Sequence, residues 1–119
     1  MNDLNLGAVE SRFADIIWRS EPLPSPELVK LAAQELNWKK STTYTVLKRL
    51  CERGIFQNQN GIVSSRLSRQ EFYAMQSEQF VNETFAGSFP AFFTAFATRK
   101  KLTAQEIDQL QQMIDQMKE

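Results

Sequence analysis

The segment WKKSTTYTVLKRLCERG, Trp38 to Gly54, carries two stripes rather than one. Thr43, Val46, Leu47 and Leu50 follow one helical row, and Ser41, Tyr44, Thr45 and Lys48 follow another with i, i+3, i+4, i+7 spacing. In a helix of roughly 3.6 residues per turn the two rows fall on separate faces. The first wants a core. The second bears hydroxyls, a phenol and an ammonium where an ordinary solvated face would be dominated by Glu, Lys and Gln, and that chemistry suits contact with nucleic acid.

Upstream, Val9, Phe13, Ile16 and Ile17 recur on one face and predict a first helix from about Leu6 to Trp18. Pro22 and Pro24 interrupt it, and Ser25-Pro26 reads as an N-cap followed by proline at the first helical position. The second helix turns Leu28, Val29, Ala32 and Leu36 inward and stops near Asn37-Trp38. A short turn leads into the third helix, which Gly54 ends. Ile55-Phe56 and Ile62-Val63 then flank Asn60-Gly61, a strong hairpin signal. Three helices and a two-stranded hairpin in this order predict a winged helix-turn-helix over residues 1–68, with the third helix in a major groove and the hairpin as the wing.

Residues 69–119 read as helical again. Ser68-Arg69-Gln70-Glu71 and Thr103-Ala104-Gln105-Glu106 are both capping boxes. The first opens a helix carrying Phe72, Met75, Phe80 and Phe85, broken at Ala86-Gly87-Ser88, and a phenylalanine-rich turn with Phe89, Phe92, Phe93 and Phe96 follows. The second opens a final helix in which Ile107, Leu110, Ile114 and Met117 have the spacing of a coiled-coil seam. Burying one large apolar side chain is worth roughly 1.5–3 kcal/mol, so leaving Phe80, Phe85, Phe89, Phe92, Phe93 and Phe96 in water is implausible, and a second copy of the segment would cover them. The expected fold class is mainly α with a small β-hairpin, a winged helix-turn-helix followed by a helical dimerisation segment.

Composition changes this picture in two ways. The chain holds 14 Lys and Arg against 14 Asp and Glu, a formal charge of zero that at first argues against DNA binding. The distribution is uneven, however: residues 1–69 carry three more positive than negative side chains, and residues 70–119 three more negative than positive. With a single cysteine, Cys51, and no histidine, an intrachain disulfide is excluded and a Cys/His zinc site or His-based catalysis lacks its residues. Cys51 follows the apolar stripe and reads as a small buried hydrophobe. No carboxylate pair or phosphate-cradling glycine loop stands out, so neither enzymatic activity nor a metal or cofactor is expected. No apolar run approaches the roughly 20 residues of a membrane span, and the first residues lack a signal-peptide pattern. The expected location is the cytoplasm, without membrane insertion.

The segments FADIIW (Phe13 to Trp18), SPELV (Ser25 to Val29) and WKKSTTYTVLKRLCERG, followed beyond the wing by SRQEF, FAGS and KLTAQEIDQL, carry a resemblance. Over nearly its full length the chain resembles the BlaI/MecI penicillinase-repressor family of bacterial transcription regulators. The resemblance implies a homodimer whose winged helices bind a palindromic double-stranded DNA operator and repress an antibiotic-resistance or stress operon. It also implies a membrane sensor metalloprotease as a partner, with cleavage in the C-terminal part lifting repression. The family's DNA contacts carry over onto Lys40, Ser41, Tyr44, Thr45 and Lys48, and its wing tip onto Asn58 to Gly61. Its cleaved Asn-Phe bond corresponds to Ala95-Phe96, with alanine in place of asparagine. The wing departs from the many relatives with several basic residues there, since QNQNGIVSSR has no positive charge before Arg66. The tail also lacks the cysteine cluster of the copper-sensing branch.

Within the DNA reading, Lys48 and the flanking Lys39, Lys40 and Arg53 are expected to meet phosphates, and Ser41 and Thr45 base edges. Tyr44 needs a partner, which a groove would supply. Asn58, Gln59 and Asn60 either reach the minor groove or backbone as neutral donors or form a merely polar hairpin tip. The alternative from another class is a protein-interaction adaptor with a winged-helix shape and little DNA affinity, which the neutral wing would suit. The signal for release is open between proteolysis, a small ligand in the Phe-lined region, and dimer dissociation.

Overall fold

In α1 (Ala8–Ser20) Phe13, Ala14, Ile16 and Ile17 are buried, in α2 (Ser25–Leu36) Leu28 and Ala32, and in α3 (Lys40–Glu52) Thr43, Val46, Leu47 and Leu50. These three apolar faces, with Ile55, Phe56 and Val63, make one core, as the stripes predict. The computed structural model describes residues 4–118; residues 1–3 and 119, the outermost of the two predicted segments, lie outside the described residues. Two compact units result, one ending at Gln79 and the other beginning at Phe80.

In the first unit, α2 ends on Asn37 in the left-handed region (φ 58°), and Trp38 and Lys39 lead into α3. Strands β2 (Phe56–Gln59) and β3 (Ile62–Ser65) pair antiparallel, with Gln59 opposite Ile62. The two residues between them, Asn60 and Gly61, both have positive φ, 54° and 81°. That is the geometry of a tight hairpin turn whose twist matches its strands, and it explains the Asn-Gly pair.

The predicted two-stranded hairpin is corrected in one respect. A third strand, β1 (Leu23–Pro24), pairs antiparallel with β3, giving a sheet in the order β1-β3-β2. Proline lacks the N–H a central strand needs, but it is tolerated on an edge. The end of α1 is tied to the same sheet, because the Glu21 carboxylate accepts the Ser65 backbone N–H at 2.8 Å and the Ser65 hydroxyl at 2.7 Å.

α4 (Arg69–Thr84) begins in the first unit, where Phe72 is buried. Trp18 makes ring contacts with Phe56 at 5.3 Å and Phe72 at 5.6 Å, and its indole N–H donates to the Leu67 carbonyl at 3.0 Å. The Gln76 amide donates to the Leu4 carbonyl at 3.0 Å. The start of α4 is thus held by stacking, one buried ring and two hydrogen bonds.

The second unit corrects the predicted phenylalanine-rich turn. Phe89–Arg99 is a helix, α5, whose N-cap Ser88 accepts the Ala91 N–H and which has Pro90 in its first turn. Only the break before it is a turn, with Ala86 and Gly87 at φ 52° and 82°. α6 (Ala104–Met117) follows. Neither α5 nor α6 contains a buried residue.

Both predicted capping boxes form. Glu71 Oε1 accepts the Ser68 N–H at 2.9 Å, and Glu106 Oε1 accepts the Thr103 N–H at 2.9 Å. These backbone hydrogen bonds hold both carboxyls below their ordinary value. A lowered folded pKa means stability that is fully present above the unfolded pKa and lost as pH falls through the folded one. Acid titration followed by circular dichroism should therefore show fraying of α4 and α6 in that window. Glu71→Gln with Glu106→Gln, which keeps a capping amide but removes the titration, should flatten that part of the curve.

Candidate nucleic-acid interface

α3 starts after Lys39, whose extended backbone caps the helix without a side-chain hydrogen bond, and its first turn holds no acid. Unpaired N–H groups and aligned peptide dipoles make such an end electropositive. Exposed Lys39 and Lys40 add two ammonium groups there. Further along, Ser41, Thr45 and Lys48 are also exposed. The Thr45 hydroxyl donates back to the Ser41 carbonyl at 2.9 Å, which fixes its rotor and leaves its oxygen able to accept. Core packing of Thr43, Val46, Leu47 and Leu50 is what turns this row outward.

The electrostatics of this face are not those of the whole chain. Arg19 pairs with Asp15 and Glu35, Arg69 with Asp15, and Arg49 with Glu10 at 3.4 Å. Three acids of the first unit are thereby matched by arginines. Lys39, Lys40 and Lys48 form no ion pair with any described residue. A neutral chain therefore presents a locally positive α3.

Two predicted contacts sit differently from the rest. Tyr44 is half-buried against the core, and its hydroxyl donates to Ser25 Oγ at 3.1 Å, so the partner its ring needs is supplied within the protein. Thr45 beside it remains exposed. Arg53 caps the other end of α3, about 20 Å along the axis from Lys40, and its Nη1 donates to the Asn5 carbonyl at 3.3 Å.

The wing tip is polar and uncharged. Asn58, Gln59 and Asn60 are exposed around the turn, and Gln57 is held across the strands by a 3.0 Å hydrogen bond from its amide to Ser64 Oγ. Ile62, which the sequence did not single out as a surface residue, is also exposed.

In the second unit the phenylalanines gather into a chain of ring contacts. Phe80, Phe85 and Phe92 meet edge-on at 5.7–6.1 Å, and Phe92 continues to Phe89 and Phe96. Phe93 reaches Phe89 at 6.3 Å. Of the predicted seam on α6, Ile107, Ile114 and Met117 are exposed and Leu110 is half-buried. Met113, three residues after Leu110, is exposed as well and was missed. Ala95 and Phe96 lie inside α5, so hydrolysis of the bond between them requires that helix to open.

Cys51 is half-buried, and burial pushes its thiol pKa up, away from reactive thiolate chemistry. Among the described residues no group of His, Cys, Asp or Glu is arranged to hold a metal, and no helix is long and apolar enough to cross a membrane.

A sequence model of the penicillinase repressor family matches residues 6–116, which spans both compact units. The chain belongs to the penicillinase repressor family. Among curated proteins it is similar to the penicillinase repressor of Bacillus licheniformis, with 21% identity over 107 residues, 87% of this chain and 84% of the relative. The family is one of repressors rather than of enzymes. Its winged-helix expectation agrees with the six helices and three-stranded antiparallel sheet found among the described residues.

Proposed function

We propose that this member of the penicillinase repressor family is a DNA-binding transcriptional repressor that occupies a palindromic operator as a homodimer. The observation that carries the reading is the outward row of Lys40, Ser41, Thr45 and Lys48 on a helix whose opposite face is fully built into the core. Lys39, Lys40 and Lys48 neutralise phosphates, and Ser41 and Thr45 meet base edges. The wing tip adds neutral donors from Asn58, Gln59 and Asn60. Fluorescence anisotropy with the duplex upstream of its own gene tests this. A preference of about 10³-fold or more over scrambled duplex is expected. Equal affinity for both would instead favour a winged-helix interaction module, the reading that the uncharged wing supports.

The dimer rests on α5 and α6. Isolated helices of this length are marginal in water, yet neither helix buries a side chain, and Phe89, Ile107, Ile114 and Met117 are each at least half exposed. A twofold partner covers these faces and matches a palindrome. Sedimentation of the wild type at micromolar concentration should give a dimer, and Ile107→Asp with Ile114→Asp a monomer of reduced helicity. A wild-type monomer would refute the assembly. Release by a sensor metalloprotease acting at Ala95-Phe96 requires opening of α5, and dimer dissociation would expose that bond.

A further inference from the structure

Tyr44 lies within the polar row of α3 but points its hydroxyl elsewhere. It donates to Ser25 Oγ at 3.1 Å, and Ser25, the first residue of α2, is 7% exposed. The backbone N–H of the same Ser25 donates to the carbonyl of Gly61, the second turn residue of the wing, at 2.8 Å. The neighbouring residue, Pro24, stands opposite Ile62 in the sheet. One buried serine is therefore bonded on one side to the recognition helix and on the other to the wing turn.

We infer that Tyr44 is a positioning residue, which through Ser25 sets where the wing tip stands relative to the Ser41–Lys48 row. The inference rests on the reading of α3 and the wing as a DNA surface. A duplex engages both elements at once, so their separation has to match the groove and backbone it meets. The wing tip carries no charge with which to reach for a phosphate, and short amide donors act only over hydrogen-bond distances. Placement matters more for such a tip than for one bearing long cationic side chains. β1 supplies only two paired residues to hold the wing edge, and the Tyr44–Ser25–Gly61 connection adds a third point. Tyr44 thus contributes to DNA recognition without its hydroxyl touching a base.

The test uses Tyr44→Phe, which keeps the ring and removes the donor, and Ser25→Ala, which removes the acceptor. In amide NMR spectra of the free protein, both substitutions should shift Ser25 or its replacement together with Asn60, Gly61 and Ile62. Shifts confined to α3 would overturn the inference. With DNA, each substitution should weaken operator binding about three- to tenfold, the range of one net hydrogen bond. In a wing with Asn58→Ala and Gln59→Ala, Tyr44→Phe should cost less than about twofold, because the contacts it positions are gone. An equal cost with either wing would mean that the hydroxyl acts on DNA directly, and would also overturn the inference. If the wild type binds no duplex, the DNA reading falls, and the free-protein spectra alone decide the connection.

Discussion

Lys40→Ala with Lys48→Ala is expected to weaken operator binding about 100-fold near physiological salt, taking each ammonium–phosphate contact as a charge-assisted hydrogen bond. Both side chains are exposed and unpaired with any described residue, so removing them disturbs no ion pair of the first unit. The loss should be electrostatic in form. Each neutralised phosphate contributes about 0.9 to the slope of log affinity against log salt, so the doubly substituted protein should lose about 1.8 from that slope. Lys118→Ala, in the second unit, should leave the slope unchanged. Because the wing contributes no charge between Phe56 and Ser65, most of the slope should be traceable to Lys39, Lys40 and Lys48. A steep slope that survives their substitution would place the phosphate contacts elsewhere.

Phe72→Ala should have the largest effect on stability, about 3–5 kcal/mol, the usual cost of emptying a buried phenylalanine site. Against a total of about 5–15 kcal/mol for a domain this is a severe loss. Phe72 is 1% exposed and touches Trp18, whose ring also meets Phe56 and whose N–H is bonded to the Leu67 carbonyl. Met75, on the same helix but 41% exposed, is the comparison, and Met75→Ala should cost no more than about 0.5 kcal/mol. Urea unfolding of the two full-length variants separates them. Equal midpoints would show that α4 is not seated on the first unit.

Phe72 also shows what was and was not legible in the sequence. The Ser68–Glu71 capping box placed the start of α4 correctly, because a cap is a local pattern of side chain and backbone. The box says nothing about which core the helix joins, and the compact units part at Gln79 and Phe80 rather than at the box. Asn60-Gly61 was read correctly for the same local reason, since positive φ at two successive residues selects those side chains. β1 was missed because two residues containing a proline carry no strand pattern, and only pairing with β3 makes them a strand.

α5 is a different kind of miss. Phe89, Phe92, Phe93 and Phe96 have i, i+3, i+4, i+7 spacing, Ser88 caps the helix, and Pro90 sits in the first turn where proline is accepted. The signal was present, but the density of rings so close to Gly87 was taken as a turn. At the candidate interface, the outward Ser41, Thr45 and Lys48 row was legible from periodicity because core burial dictates it. Tyr44 was only partly legible. Its place in the row follows from spacing, but its hydrogen bond to Ser25, nineteen residues away, depends on how α2 and α3 pack.

The most direct measurement is an amide NMR titration of the full-length protein with the duplex from upstream of its own gene. Contact through the polar side of α3 predicts the largest changes at Lys39 to Lys48 and at Asn58 to Gly61, saturating at one duplex per dimer, with α6 undisturbed. Changes concentrated on α5 and α6, or none anywhere at saturating DNA, would contradict it.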